Sequence, residues 1–569
     1  MTGRLERLIA RIRTPLGLVL CGIFVLHVVG LTWGLPSTDG WDDDGVAPRD
    51  FLVGVARTFT PGDFYTYPPL HVLILTALTF PLWAVGVVLA PSLSPADLIR
   101  EFLTVPCMTA FALVARLVAV TMSIGVVYAL AKVGEELRGR RAGLFVAVVV
   151  GLNAPFTYYA HTSNLEVPYC CWASFALLYF VRAIARHEPR ELRWAFAFAA
   201  FAVSTKDQAA ALFILGFPVG LASWLAIDAW ARENARAILE QAALWGATAL
   251  ALALALDGAI FNPLGFRARI FFLFGTASQD HASYAATLAG RVFVLRDSIL
   301  HFTHFYPAPF ALMAIVGLVV AGGSPSKRAA GLAPLFLTGS FLVLFNCLAR
   351  RTDERFLLPQ MLFLGVYAGL GLDATLFWAP RPAARLVQAA GAALLAWALF
   401  ECAAVDASLL EDTRYDAEAW LAAHVRPGES LEVYGNLVYL PRLPPHARVM
   451  RVDQRPVETR NPLPGAKEVL APFEDVEQRK PQWIVVTEPQ LGPYLADAAE
   501  VERMGRILTP GQSAAQRDPA RKYFRDLVAG RAGYRVAHVS EWTSRVWPLV
   551  QIHASTGQRV QIFERLNPS

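Results

Sequence analysis

Long apolar segments recur along most of this chain and are separated by short loops that carry the charged residues. Eleven segments, one of them shorter than the rest, match the length that a helix needs to cross a bilayer. They lie at residues 16–34, 111–131, 142–157, 167–185, 194–205, 207–227, 240–261, 306–322, 333–349, 357–378 and 386–404. The pattern predicts a polytopic α-helical membrane protein with about 11 transmembrane helices.

A further apolar segment, 70–90, is interrupted by Pro81. Counting it as a crossing would invert the orientation of everything after it. Lys and Arg in short loops favour the cytoplasmic side, and an outer-side 70–90 puts every basic loop on the side of the basic N-terminus. The residues in these loops are Lys132, Arg138, Arg140, Arg141, Arg182, Arg186, Arg190, Arg193, Arg232, Arg236, Lys327, Arg328, Arg381 and Arg385. We therefore expect a cytoplasmic N-terminus, a first external loop at about 35–110 and an external C-terminus.

The region 405–569 differs from the rest because it contains no apolar span. Polar helical stretches alternate there with short β-branched runs at 431–434, 483–487, 534–537 and 560–563. Such alternation is typical of an α/β domain. The sequence thus predicts a transmembrane domain over 1–404 and an external α/β domain over 405–569.

Composition supports this interpretation, since 55% of the residues are hydrophobic and 17% are charged. The net charge of +5 comes largely from Arg in short loops, and no basic stripe with interleaved aromatic residues suggests nucleic-acid binding. The six cysteines lie in or beside apolar stretches without metal-ligand spacing. A nucleic-acid partner, a disulfide framework and a zinc site are therefore not expected.

Three adjacent carboxylates, Asp42, Asp43 and Asp44, follow the first span, and the stretch 65–71 follows them. Charges beside a membrane are costly and usually functional. These acids could instead cap a following helix, but three exceed what a cap needs. Carboxylate oxygens suit a divalent cation, for which Asp42 and Asp44 are the candidate ligands, although two neighbouring carboxylates alone do not define a metal site. No cofactor is firmly assigned.

The predicted topology gathers acidic and basic residues on the outer face. They are Asp42, Asp43, Asp44, Glu166, Lys206, Asp280, His281, Arg350, Arg351 and Arg355. An outer site bounded by apolar helices suits a lipid with a charged head. Transfer of a group from such a lipid needs a carboxylate to deprotonate an acceptor hydroxyl and cations to hold a departing phosphate.

At these residues the chain resembles the GT-C class of membrane glycosyltransferases, in particular the branch related to protein O-mannosyltransferases and the lipid A aminoarabinose transferase. The resemblance covers most of 1–430. It is carried by the acidic loop with Tyr67-Pro68-Pro69-Leu70, by Arg116, by 161–168, by 204–208, by 354–359, and by 412–416 with Trp420. It implies a polyprenyl-phosphate sugar donor, an acidic catalytic residue in the first external loop and no nucleotide.

The resemblance also suggests residue roles. Asp44 matches the family position of the general base best, with Asp42 as the second choice and Glu166 orienting the acceptor or the base. Two departures exist: the family often has Asp-Glu where this chain has Asp44-Gly45, and often Asp where it has Glu166. The first leaves open which acid of 42–44 is the base.

Cations and polar residues fill the remaining roles. Lys206, Arg116 and Arg355 are expected to hold the donor phosphate, and the candidates for substrate contact are Tyr67, His71, Asn164 and His281. Each has a simpler explanation: Lys206 could pair with Asp207, an Arg at the end of a span is often an interface anchor, and Glu166 could be only a first-turn acid.

We therefore predict a hexosyl or pentosyl transferase of the cell envelope, in a bacterial inner membrane, that acts on a lipid, glycan or protein acceptor. The main alternative is a transporter or flippase of lipid-linked sugars. Such proteins show broken helices and ionisable groups near the bilayer centre and paired halves. Here the charges lie at the ends of spans and no such symmetry is evident.

Overall fold

The computed structural model describes residues 14–566 except positions 39, 43, 44, 379, 458, 459, 461, 462, 464 and 543–554. The membrane part is helical. Its helices are α1 (Pro15–Val28), α2 (Asp50–Phe59), α3 (Leu70–Leu89), α4 (Pro95–Phe102), α5 (Val105–Arg138), α6 (Arg140–Gly151), α7 (Ala154–Ala160), α8 (Glu166–Ala185), α9 (Leu192–Val203), α10 (Ala210–Ile227), α11 (Ala229–Glu233), α12 (Ala235–Leu256), α13 (Pro263–Phe274), α14 (Thr276–Gln279), α15 (Leu288–Leu300), α16 (Phe302–Phe305), α17 (Pro309–Val320), α18 (Pro325–Phe341), α19 (Cys347–Ala349), α20 (Glu354–Trp378) and α21 (Ala384–Leu410).

Within the described residues, 8 helices are long and apolar enough to cross a membrane, or up to 10 if each of two bent helix pairs is one span. They are α3, α5, α8, α10, α12, α18, α20 and α21. The predicted fold class, a polytopic helical membrane protein with a C-terminal α/β domain, is confirmed. The predicted number of eleven differs from the upper count of 10 because it adds the shorter helices α1 and α9 and leaves out α3.

Sharp bends occur at two of the predicted spans, within one of them and at the start of the other. In the segment 142–157 the chain turns by 71° between α6 and α7, where the Asn153 side chain accepts a hydrogen bond from the backbone N–H of Phe156 and Pro155 occupies the first turn. The segment 306–322 corresponds mainly to α17, which meets the preceding helices α15 and α16 at 106°. Local caps and prolines interrupt helices here although the apolar run continues.

Small residues let central helices approach closely. A Cβ atom built on Gly317 of α17 would collide with the carbonyl oxygen of Tyr367 of α20, and one on Gly371 would collide with that of Met313. Glycine-lined crossings are a common way to pack helices in a membrane. The crossing of α17 and α20 therefore depends on these two positions.

One end of the bundle, here called the basic end, joins the helices through loops rich in Arg. Arg138 Nη1 donates to the carbonyl of Val320 at 2.9 Å, and Arg141 Nε donates to Asp373 at 2.6 Å. Arg182 pairs with Glu136 across α8 and α5 at 3.0 Å. These contacts hold together the loops that the sequence places on one side.

The opposite end, here called the site end, holds the described residues of 29–110 together with 161–166, 204–206, 257–305 and 350–353. Both halves of α3 contact this end. The backbone N–H of Leu70 donates to the carbonyl of Ser204 at 3.0 Å, while the Trp83 ring packs 4.6 Å from that of Phe111, in the second turn of α5. Although α3 is long and apolar enough to span a bilayer, these contacts favour the predicted non-crossing path.

The C-terminal region forms a six-stranded sheet flanked by helices, and the strand order is β3-β2-β1-β4-β6-β5. Its elements are α22 (Thr413–His424), β1 (Ser430–Tyr434), β2 (Arg448–Asp453), β3 (Ala466–Leu470), α23 (Val476–Arg479), β4 (Trp483–Thr487), α24 (Glu488–Leu495), α25 (Ala498–Arg503), α26 (Pro510–Arg517), α27 (Ala520–Val528), β5 (Tyr534–Ser540) and β6 (Val560–Arg565). The four strands predicted from β-branched runs are present, and β2 and β3 were not predicted.

Strands β3, β2, β1 and β4 are parallel, and β6 and β5 continue the sheet in antiparallel fashion. Side chains alternate between its two faces. Ile484 and Val486 pack with Phe524 on one face, whereas Val485 packs with Leu421 of α22 on the other. Because α21 continues to Leu410, the domain boundary predicted at residue 404 falls inside a helix.

We expect α3 to remain on the same side of the membrane as the Asp42 loop. A reporter enzyme inserted after Ala90 should be exposed on the outer face, whereas one inserted after Arg190, in a basic-end loop, should be cytoplasmic. Accessibility of both reporters in intact cells measures this directly. Cytoplasmic exposure of the Ala90 reporter would contradict the topology.

Candidate active site

Asp42 lies at the centre of a buried ion pair at the site end. Its Oδ1 accepts from Arg116 Nη2 at 3.0 Å and its Oδ2 from Arg116 Nε at 3.4 Å. Arg116 Nη1 also donates to the carbonyls of Leu31 and Trp33, both at 2.7 Å. Arg116 is fully buried and Asp42 is 5% exposed. This pair joins the first loop to α5.

A second loop holds the same carboxylate. The backbone N–H and the hydroxyl of Ser163 donate to Asp42 Oδ2 at 2.9 and 3.0 Å. The carbonyl of Ser163 accepts from the backbone N–H of Val46 at 3.3 Å. At Gly45 a Cβ would lie 2.6 Å from Asp42 Cβ and 2.7 Å from Ser163 Oγ, so this close approach needs glycine.

Asp43 and Asp44, two of the predicted catalytic carboxylates, lie outside the described residues. The residues on either side are held firmly, Asp42 by Arg116 and Ser163, and Val46 by Ser163. The role predicted for Asp44 therefore stays a prediction.

The loop 161–166 connects this carboxylate to a lysine. Glu166 begins α8, is 2% exposed and forms an ion pair with Lys206 Nζ. Ser163 and Glu166 are three residues apart, which limits their Cα separation to roughly 11 Å. One short loop therefore contacts Asp42 through Ser163 and Lys206 through Glu166.

Cations converge beside Lys206 on the ring of Phe356, at the start of α20. The ring centroid lies 4.3 Å from Arg351 Cζ, 4.6 Å from Arg355 Cζ and 6.0 Å from Lys206 Nζ. Cations stack favourably on aromatic faces, and Arg351 also pairs with Asp353 at 3.1 Å. The predicted phosphate ligands Lys206 and Arg355 are thus brought together with Arg351, which was not among the predicted site residues.

Arg116 does not belong to this cluster. Four of its five N–H groups are already used by Asp42, Leu31 and Trp33. The geometry therefore favours a role of Arg116 in positioning Asp42, and it disfavours the phosphate contact that the sequence predicted for Arg116.

The predicted substrate-contact residues occupy different environments. Asn164 and His71 are buried, and within the described residues Asn164 Oδ1 and His71 Nδ1 make no hydrogen bond. Tyr67 is 38% exposed. His281 is exposed in the loop after α14. Asn164 lies between Ser163 and Glu166 in the loop 161–166, and the substrate contacts of all four residues stay predictions.

A separate buried cluster surrounds Arg269. Arg269 Nη1 contacts Asp207 at 3.2 Å, and Nη2 lies 3.6 Å from Asp257. Burial raises the pKa of Asp257 to about 7 although Arg269 opposes the shift. Asp207 is thus a partner of Arg269, and Lys206 pairs with Glu166. The ion pair of Lys206 is therefore not the local one with Asp207 that the sequence suggested.

The C-terminal domain packs directly on the first loop. Trp33 Nε1 donates to Asp412 at 3.1 Å, and Trp41 Nε1 donates to the carbonyl of Leu440 at 3.0 Å. The guanidinium of Arg414, itself paired with Asp412 at 2.8 Å, lies 4.2 Å from the Trp41 ring centroid. These contacts restrain the segment that leads into Asp42.

Asp42 is the predicted cation ligand whose surroundings the structure describes, because Asp44 lies outside the described residues. Over the parts of the chain that the structure describes, no group of three or more His, Cys, Asp and Glu side chains is placed to hold an ion. Asp42, a predicted cation ligand, has both oxygens engaged by Arg116 and Ser163. The geometry therefore disfavours a cation on Asp42.

Residues 104–257 match the model of the family described as dolichyl-phosphate-mannose-protein mannosyltransferase. The matched stretch contains Arg116, Ser163, Glu166 and Lys206. The predicted resemblance to GT-C glycosyltransferases is confirmed. A membrane glycosyltransferase is therefore the indicated class, although the match leaves out the Asp42 loop and the C-terminal domain.

Solved structures provide more distant comparisons. ArnT from Cupriavidus metallidurans bound to undecaprenyl phosphate is 15% identical, with 84% of this chain and 94% of that chain covered and a TM-score of 0.46. The oligosaccharyltransferase AglB from Archaeoglobus fulgidus, in complex with an inhibitory peptide and a dolichol-phosphate, is 12% identical, with 96% and 88% covered and a TM-score of 0.45. These similarities are too low to establish a shared function. No curated protein sequence matches the chain.

Arg116→Met should destabilise the protein because it leaves Asp42 as an uncompensated buried carboxylate. Breaking such a pair typically costs about 3–5 kcal/mol, so the thermal unfolding midpoint in detergent should fall clearly.

The matched control is Arg236→Met, which removes an exposed pair with Glu240 and should change stability by less than about 1 kcal/mol. Equal midpoints for the two variants would show that the Asp42–Arg116 pair does not hold the loop.

Proposed function

We propose that this protein transfers a sugar from a polyprenyl-phosphate carrier to an acceptor hydroxyl at the outer face of a bacterial inner membrane. The observation that carries the proposal is the loop 161–166, which holds Asp42 through Ser163 and places Glu166 on Lys206. The loop that carries Asp42 and the cation cluster that contains Lys206 therefore both contact the segment 161–166.

The cation cluster of Lys206, Arg351 and Arg355 would hold the donor phosphate. Planar guanidinium groups bind phosphate oxygens through two hydrogen bonds at once. Glu166 keeps Lys206 in place until the phosphate arrives, and the phosphate then shares the ammonium group. These cations stabilise the negative charge that develops on the leaving group.

In the reaction, a carboxylate takes the proton from the acceptor hydroxyl while the acceptor oxygen attacks the anomeric carbon. The bond from that carbon to the phosphate oxygen breaks, a glycosidic bond forms, and polyprenyl phosphate leaves, with inversion at the anomeric carbon. No nucleotide is consumed. Asp44 is the proposed base, with Asp42 as the second choice, while Arg116 and Ser163 position the loop.

The family match over residues 104–257 supports this proposal, because the family is described by its lipid-phosphate sugar donor. The identity of the sugar, hexose or pentose, and the acceptor, whether lipid, glycan or protein, belong to the same proposal. The alternative of a transporter or flippase is less favoured, since the ion pairs Asp42–Arg116 and Lys206–Glu166 both lie at one end of the bundle.

The donor role of the cation cluster can be tested by binding of undecaprenyl phosphate to the purified protein in nanodiscs. Arg351→Met and Lys206→Met should each weaken binding by roughly tenfold or more, because each removes a charge-assisted contact. Arg140→Met, at an exposed position of the basic end, should bind like the parent. If the parent protein bound undecaprenol as tightly as undecaprenyl phosphate, the assignment of the cluster to the phosphate would be contradicted.

The base can be tested with undecaprenyl-phosphate-linked hexoses and pentoses, with native lipid extract as the acceptor source and release of undecaprenyl phosphate measured by mass spectrometry. Asp44→Asn should lower turnover roughly a hundredfold or more while donor binding persists.

Asp42→Asn is the comparison, and its unfolding midpoint should be measured in parallel. Parental turnover in both variants would refute the mechanism. Movement of unmodified donor across the bilayer without release of undecaprenyl phosphate would instead favour a flippase.

A further inference from the structure

Arg269 joins three segments of the site end. It lies on α13, and its Nη1 donates to Asp207 Oδ2 at 3.2 Å. Its guanidinium also lies against the Tyr65 ring, with Cζ 4.8 Å from the ring centroid. The Tyr65 hydroxyl in turn donates to the backbone carbonyl of Asp257. One arginine therefore connects the first external loop, the turn 204–207 and the segment that follows α12.

The turn that Arg269 contacts carries Lys206, the lysine of the cation cluster. The Lys206 backbone is extended, with φ −153° and ψ 121°, so the side chains of Lys206 and Asp207 leave the turn in different directions. Lys206 reaches Glu166, and Asp207 reaches Arg269. The two neighbours in the chain are thus held by separate partners.

The charges around Arg269 do not balance. Asp207 and Asp257 face one guanidinium, whose Nη2 lies 3.6 Å from Asp257. The Arg269 side chain is fully buried, and that of Asp207 is 22% exposed. Without Arg269, Asp207 would be an unpaired and mostly buried carboxylate, which is costly. The cation next to it in the chain is Lys206, whose charge already interacts with that of Asp207.

We infer that Arg269 is a positioning residue for Lys206: it binds Asp207, prevents this carboxylate from pairing with Lys206, and so leaves the ammonium group to the donor phosphate. The role rests on the proposed function, in which Lys206 binds that phosphate. Glu166 already uses part of the ammonium group, and a second carboxylate there would compete with phosphate for the same N–H donors. Arg269 acts through Asp207 and contacts neither donor nor acceptor.

The test measures binding of undecaprenyl phosphate to the purified protein in nanodiscs, well below the unfolding midpoint of each variant. The double variant Arg269→Met/Asp257→Asn removes one positive and one negative charge. The formal charge of the cluster therefore stays the same while Asp207 loses its partner. Lys206 should then pair with Asp207, and the dissociation constant should rise roughly tenfold.

The decisive comparison is the triple variant that also carries Asp207→Asn. It lacks the carboxylate that would capture Lys206, so binding should return close to that of the parent. Direct contact of Arg269 with the phosphate predicts no recovery, because the triple variant still lacks the guanidinium. A triple variant that binds as weakly as the double variant, or a double variant that binds like the parent, would overturn the inference.

The matched control is Arg267→Met, which changes an exposed arginine of the same helix and should bind like the parent. If the double variant does not fold, Arg269→Lys takes its place. Its single ammonium group keeps the charge but lacks the planar fork that serves two carboxylates. Binding should weaken in Arg269→Lys and recover when Asp207→Asn is added, and a loss without recovery would again count against the inference.

A second measurement needs no donor. In the Arg269→Met/Asp257→Asn background, the shifts in unfolding midpoint caused by Lys206→Met and Asp207→Asn should be non-additive, because the two changes remove the ends of one new ion pair. In the parent they should be closer to additive, since Lys206 and Asp207 have separate partners.

The inference and the proposed function can therefore fail separately. If the new coupling appears but Lys206→Met leaves binding of undecaprenyl phosphate to the parent unchanged, the control of Lys206 by Arg269 stands and the phosphate role of Lys206 falls. If binding depends on Lys206 but no coupling appears, the phosphate role stands and the inference about Arg269 falls.

Discussion

The buried pair of Asp42 and Arg116 is the constraint on which the candidate site depends. A charge placed at the edge of a membrane must be compensated, and here one guanidinium compensates the carboxylate while also binding two carbonyls at the end of α1. The pair thus ties the first loop to the long helix α5. Ser163 belongs to the loop that carries Glu166, so one loop contacts both Asp42 and Lys206.

The C-terminal domain contributes to the site by contact rather than by catalytic side chains. Asp412 and Leu440 accept hydrogen bonds from the indoles of Trp33 and Trp41, which both precede Asp42 in the chain. A second contact joins Ile507 to Ser283, whose backbone N–H donates to the carbonyl of Arg350. The domain therefore touches both the segment that leads into Asp42 and the segment that binds Arg350, next to Arg351 of the cation cluster.

Much of the architecture could be predicted because apolar length and basic loops are local properties of the sequence. The spans, the α/β character of the C-terminal region and four of its strands follow from such patterns. Strands β2 and β3 were missed, since β2 contains two Arg and an Asp among its six residues and β3 carries Lys467 and Glu468. Their positions are set by pairing within the sheet, which no local pattern reveals.

For the site, the sequence by itself determined which residue types lie at the same end of the membrane domain: the acids of the first loop, Glu166, Lys206 and the arginines near Phe356. Only the tertiary structure decided their partners. Arg116 binds Asp42 and is not available to a phosphate. Lys206 pairs with Glu166, whereas Asp207, the residue next to Lys206 in the chain, pairs with Arg269. The physical reason is that a buried charge takes the partner with the best geometry across helices, and that geometry depends on packing far along the chain.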